Sequence, residues 1–79
     1  MDDFVIPMHL LLSGQTAHID QLLGDPDAVH RLEEMGLRTG ASVEMLQPGS
    51  PCIIKLAGHK LCFRDAEACS VLVRPEVPL

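Results

Sequence analysis

The sequence contains no tryptophan and no tyrosine, and only two phenylalanines, Phe4 and Phe63, among its 79 residues. Readers of single-stranded nucleic acid stack bases on aromatic side chains, so such platforms are scarce here. Basic charge is also thin: six Lys and Arg stand against eleven Asp and Glu, for a formal net charge of −5. Phosphate backbones are held largely by Lys and Arg displacing counterions. This balance predicts no nucleic-acid partner, and no anionic membrane surface as the main partner. The cysteines, Cys52, Cys62 and Cys69, form neither an even set nor a C-x-x-C pair, which speaks against a disulfide-stapled secreted domain. Met1-Asp2-Asp3 lacks the basic start of a signal peptide. The run Leu10-Leu11-Leu12 falls far short of the roughly 20 apolar residues that cross a bilayer. Together these absences predict a reduced, cytoplasmic protein without membrane insertion.

What is present suits one small domain. Hydrophobic residues make up 47% of the chain, which is needed because a domain this short buries only about 60% of the surface its unfolded chain exposes. No repeat or linker divides the sequence. A core over residues 8–74 is expected, with residues 1–5 and 75–79 as fraying tails.

The strongest local signal is a helix near the N-terminal third. Asp25 is placed to accept from backbone N–H groups of a first turn, and Pro26 follows at the first helical position, where its missing N–H costs nothing. Asp27 adds negative charge at the positive end of the dipole. Val29, Leu32 and Met35 recur at three-residue spacing as one apolar stripe. Gly36 can adopt the left-handed conformation that ends the helix, and Leu37 can fold back over the last turn.

Elsewhere the period is two. A strand enters at about Gln15, with Ala17, Ile19 and Gln21 on one face and Thr16, His18 and Asp20 on the other. Residues 42–46 alternate around Val43 and Met45, and Pro48-Gly49-Ser50-Pro51 marks a turn. A return strand over residues 52–57, a hairpin tip at Gly58-His59 and a further strand over residues 60–64 follow. Residues 65–69 read as a single helical turn, and residues 70–74 as a last strand carrying Val71 and Val73. About five short strands and one helix favour a small closed or nearly closed barrel.

Four motifs then resemble one family. They are Met8-x-x-Leu11-x-x-Gly14-x-x-Ala17-x-Ile19, Arg31-Leu32-x-x-Met35-Gly36-Leu37-x-x-Gly40, Gly58-x-x-Leu61-x-Phe63-Arg64 and Ala68-x-x-Val71-x-Val73. In this order and register they resemble the ferrous iron transport protein A (FeoA) family across residues 8–73. The resemblance implies a mainly β, SH3-like barrel and a non-enzymatic cytosolic adapter of bacterial ferrous iron uptake. Its implied partner is the membrane ferrous iron transporter FeoB, through that protein's cytosolic GTPase region. The cysteines Cys52 and Cys62, and the acidity of the chain, depart from the family pattern.

Partner-contact candidates are Arg31, Glu34, Leu37 and Arg38, the residues around the helix end that the core does not claim. Leu37 is divided between local packing and exposure for a partner. A possible homodimer would use Leu10 to Leu12 or Val77-Pro78-Leu79. For metal, the candidate ligands are His9, His18, His30, His59 and the three cysteines. His59 and Cys62 are the only tight pair, and strand alternation points them to opposite faces. The paired spacings of structural zinc are missing, so no metal site and no cofactor are expected. A metal-responsive module using Cys and His is the alternative function. Catalysis is not expected, since Cys62 or Cys69 beside His59 lacks a group to orient the base. Gly36-x-x-x-Gly40 lacks the Lys-Ser/Thr pair of a phosphate loop.

Overall fold

Alternation and turn chemistry shape most of the chain into one antiparallel sheet. A computed structural model describes residues 4–49, 51–64 and 70–76. In chain order its elements are β1 (Ile6–Pro7), a 3-10 turn (Met8–Leu10), β2 (Thr16–Leu22), α1 (Pro26–Glu34), β3 (Ser42–Gln47), β4 (Cys52–Leu56), β5 (His59–Phe63) and β6 (Val71–Pro75). The strands lie in the order β1-β6-β2-β3-β4-β5, every neighbouring pair antiparallel. The expected helical turn over residues 65–69, with Cys69, lies outside the described residues, as do Val77, Pro78 and Leu79.

The predicted faces explain the core. Val43 and Met45 of β3, Cys52, Ile54 and Leu56 of β4, and Val71 and Val73 of β6 alternate inward and are buried. Phe63 is buried at the end of β5, and Met8 and Leu11 enter the same cluster from the segment before β2. Pairing extends beyond the expected core at both ends: Ile6 lies opposite Val73, and Pro75 opposite Ala17. The Glu76 N–H also donates to the Thr16 carbonyl at 3.0 Å.

In β2, Ala17 and Ile19 are buried as predicted, but Gln21 is exposed. The reason is a bulge. Ile19 pairs with Val73 and Gln21 with Leu72, leaving Asp20 as the extra residue. Two residues opposite one reverse the alternation beyond that point, so Leu22 rather than Gln21 packs against the core. Asp20 meets the Arg74 guanidinium in an ion pair.

Helix α1 begins as its sequence dictates. The Asp25 Oδ1 accepts from the Ala28 N–H at 2.8 Å, with Pro26 in the first turn. Asp25→Ala should therefore cost about 1 kcal/mol, read as a lowered urea midpoint at unchanged m-value. An unchanged midpoint would show the cap to be energetically idle. The helix ends in a Schellman arrangement. The Leu37 N–H donates to the Leu32 carbonyl at 3.1 Å and the Gly36 N–H to that of Glu33 at 3.0 Å, with Gly36 at φ +102°. This geometry brings the residue after the glycine back over the last turn, and Leu37 is fully buried in the same cluster as Leu32.

The β4–β5 hairpin closes through Ala57 and Gly58, with Leu56 opposite His59, one residue earlier than the predicted tip. Both central residues have positive φ, +52° and +84°, as a type I′ turn requires.

Candidate functional site

The helix-end candidates differ in burial and in the hollows they border. Leu37 is a correction to the exposed alternative: at 0% exposure it belongs to the core. The Schellman turn that ends α1 is the physical cause. Arg31, Glu34 and Arg38 are exposed. Glu34 and Arg38 border a shallow hollow of about 460 Å³ together with His30 and Glu33, and His30 Nε2 lies 3.3 Å from Glu34 Oε2, one helical turn apart. Arg31 instead borders a smaller hollow of about 60 Å³ with Leu32 and Ser70. Glu34 and Arg38 thus border one hollow and Arg31 another, although Arg31 and Glu34 are neighbours at i, i+3 on α1.

The metal-ligand candidates are scattered. His18 sits on the outer face of β2, 3.5 Å from Glu76, whose other oxygen accepts from the Thr16 hydroxyl at 3.1 Å. Cys52 is buried, its thiol 3.9 Å from the Met45 sulfur. Cys62 is exposed on the outer face of β5, opposite Ile53. His59 shares the register of Leu56 and so lies on the other face, as alternation predicts. Among the described residues no three His, Cys, Asp or Glu side chains form a metal-sized group.

One concavity went unforeseen. An open groove of about 790 Å³ runs between the end of α1 and the β4–β5 hairpin, lined by Met35, Gly36, Leu56, Ala57, His59 and Leu61 among others. Its floor is apolar because Leu61, an inward position of β5 near the tip, is only partly covered by core, while His59 is exposed. Sequence pattern placed Leu61 in a strand and in one of the family motifs. It gave no sign that α1 stops short of covering it.

Charge on this side of the molecule is uneven. Residues 45–64 contain Lys55, Lys60 and Arg64 and no carboxylate, a balance of +3 − 0 = +3. The remaining residues hold three basic and eleven acidic side chains, or 3 − 11 = −8, which restores the total of −5. Lys55 and Lys60 lie directly opposite each other on β4 and β5. This signal was readable in the sequence as a long interval without Asp or Glu. Strand pairing sets Lys55 and Lys60 side by side, with Glu44 of β3 on the other side of Lys55.

A curled six-stranded sheet with one short helix, an open apolar groove and a charged hairpin has the anatomy of a small binding module. The family model for the FeoA domain matches residues 6–75, and the chain belongs to that family. A crystal structure of an iron uptake regulatory protein (FeoA) superposes with a TM-score of 0.87 at 28% identity, covering 92% of this chain and 100% of that one. The FeoA protein from Chlorobium tepidum gives 0.82 at 27% identity, covering 91% and 71%. FeoA from Stenotrophomonas maltophilia, complexed with zinc and termed a prokaryotic SH3 domain protein, gives 0.74 at 25% identity, covering 84% and 86%. No curated protein matches. The fold is accordingly SH3-like and mainly β, and the chain has an accessory role in ferrous iron transport. FeoA is a small accessory domain rather than a known enzyme family. No helix among the described residues is long and apolar enough to cross a membrane.

Proposed function

We propose that this chain is a non-enzymatic cytoplasmic adapter that docks on the cytosolic GTPase region of the ferrous iron transporter FeoB and adjusts ferrous iron uptake. The observation that carries the reading is the FeoA domain itself, which spans residues 6–75. The Stenotrophomonas maltophilia relative is put forward as a bacterial ferrous iron transport activating factor, which agrees with it. An adapter of this kind changes a GTPase only by binding one of its states better than another.

Exposed Glu34 and Arg38, with Arg31 on the neighbouring flank of α1, are the contact residues of this proposal. Calorimetric titration against the GTPase region should show affinities that differ between GDP and a non-hydrolysable GTP analogue. Arg38→Ala should weaken the tighter of the two while leaving the melting curve in place. Equal absence of binding in both nucleotide states, with the domain shown to be folded, would remove the docking model. The metal-responsive alternative finds less support, since Cys52 lies in the core and His59 and Cys62 face apart.

A further inference from the structure

Strand β5 stands at one edge of the sheet. Its hairpin is closed by the pair Leu56 and His59 across two residues of positive φ. In such a turn the closing pair exchanges both ladder hydrogen bonds, and antiparallel pairs then alternate. Lys55 and Lys60 are therefore a non-hydrogen-bonded pair, the kind that holds side chains closest. The backbone N–H and C=O groups of Lys60 and Cys62 accordingly point away from β4, towards the side where no strand of the described residues lies. Two like charges directly opposite each other destabilise a sheet. Glu44 faces Lys55 from β3, yet among the described residues neither lysine has an ion-pair partner within 4.0 Å.

We propose that the β4–β5 hairpin is a receptor for an extended acidic and apolar segment of a partner protein, which adds to β5 as a further antiparallel strand. Three features converge on this occupant. The open edge offers donors and acceptors together, which a peptide backbone matches and a phosphate, an acceptor alone, does not. At the outer face of the edge, Lys60 and its neighbour Lys55 have no ion pair among the described residues, and Glu44 lies two strands in from that edge, so every second side chain of the added strand is chosen to be acidic. The inner face opens on the groove floored by Leu61, Leu56 and Met35, so the side chains between them are chosen to be apolar. Polyanions and anionic bilayers meet only this small basic face, on a chain whose remainder carries −8. A lysine on an edge strand ordinarily blocks pairing of like with like; here the same charge selects an acidic strand. This surface is separate from Arg31, Glu34 and Arg38, and its test uses no transporter, so the two readings fail independently.

The test is an amide NMR titration of the whole chain with the capped nonapeptide Gly-Glu-Val-Glu-Val-Glu-Val-Glu-Gly. Shift changes should concentrate on Lys60 to Phe63 and on Leu56. Lys60→Glu, with its dispersion of resonances intact, should weaken binding at least tenfold, and Lys60→Gln by less. Exchange of the central valine for proline, which cannot donate to the ladder, should abolish it. The proposal is overturned by an undisturbed β5 at millimolar peptide, or by equal binding of the Lys-for-Glu peptide. It also falls if a DNA duplex or a phosphatidylglycerol vesicle perturbs β5 more strongly than the peptide. Shifts in β5 that grow with protein concentration alone would assign the edge to a second copy instead.

Discussion

Leu37→Ala should lower the stability of the domain by about 2–5 kcal/mol, whereas Arg38→Ala, one position on, should stay within about 0.5 kcal/mol of the parent. The contrast follows from geometry. Leu37 is fully buried among Leu32, Leu56 and Val43 in a single core cluster, and Arg38 is exposed. A chain of this length has about 4–12 kcal/mol of stability in all, so the leucine truncation removes a large share of it. Thermal melts of the two variants decide the matter. A Leu37→Ala protein that melts with the parent but fails to engage its partner would return Leu37 to the contact surface and contradict the burial.

Gly36→Val is the second substitution with a large cost. Gly36 holds φ +102° at the end of α1, and a Cβ there would lie 3.0 Å from Leu56 Cδ2. A side chain in such a backbone region costs about 1–3 kcal/mol, and the Leu56 methyl must also move within a packed neighbourhood. At about 4–8 °C per kcal/mol for a domain of this size, the melting point should fall visibly. Gly40→Ala supplies the comparison. Its φ is +91° but nothing lies within 4 Å of the added Cβ, so it should show the backbone cost alone. An unchanged melting temperature for Gly36→Val would mean that the helix ends differently from the Schellman turn described above.

The features that sequence made legible are those whose causes are local. The Asp25 cap, Pro26 in the first turn, the Gly36 stop and the inward alternation of β3, β4 and β6 each depend on residues within one element. The exposure of Gln21 was not legible, because the bulge at Asp20 is set by how β2 pairs with a strand some fifty residues away. The two-residue β1 was hidden for the same reason: Ile6 and Pro7 are a strand only because β6 lies beside them. Leu37 illustrates a third kind of limit. Its sequence context allowed both packing and exposure, and the turn that Gly36 makes at the end of α1 decided between them by carrying Leu37 into the core. The candidate site shared these limits. Arg31 and Glu34 on α1, and Arg38 just beyond its end, are exposed, but the groove beside β5 depends on where α1 ends relative to β4, which no spacing encodes.

Strand order carries a consequence for how the chain is made. Strand β6, the last in sequence, lies inside the sheet between β1 and β2, while β5 takes an edge. During synthesis every other strand leaves the ribosome before the one that joins β2 to β1. Until residues 71–75 emerge, β2 presents an unpaired side bearing Ala17 and Ile19, which are buried in the finished fold. Because that closure joins distant parts of the chain, it comes late and slowly. The nascent domain passes through its most adhesive form immediately before completion.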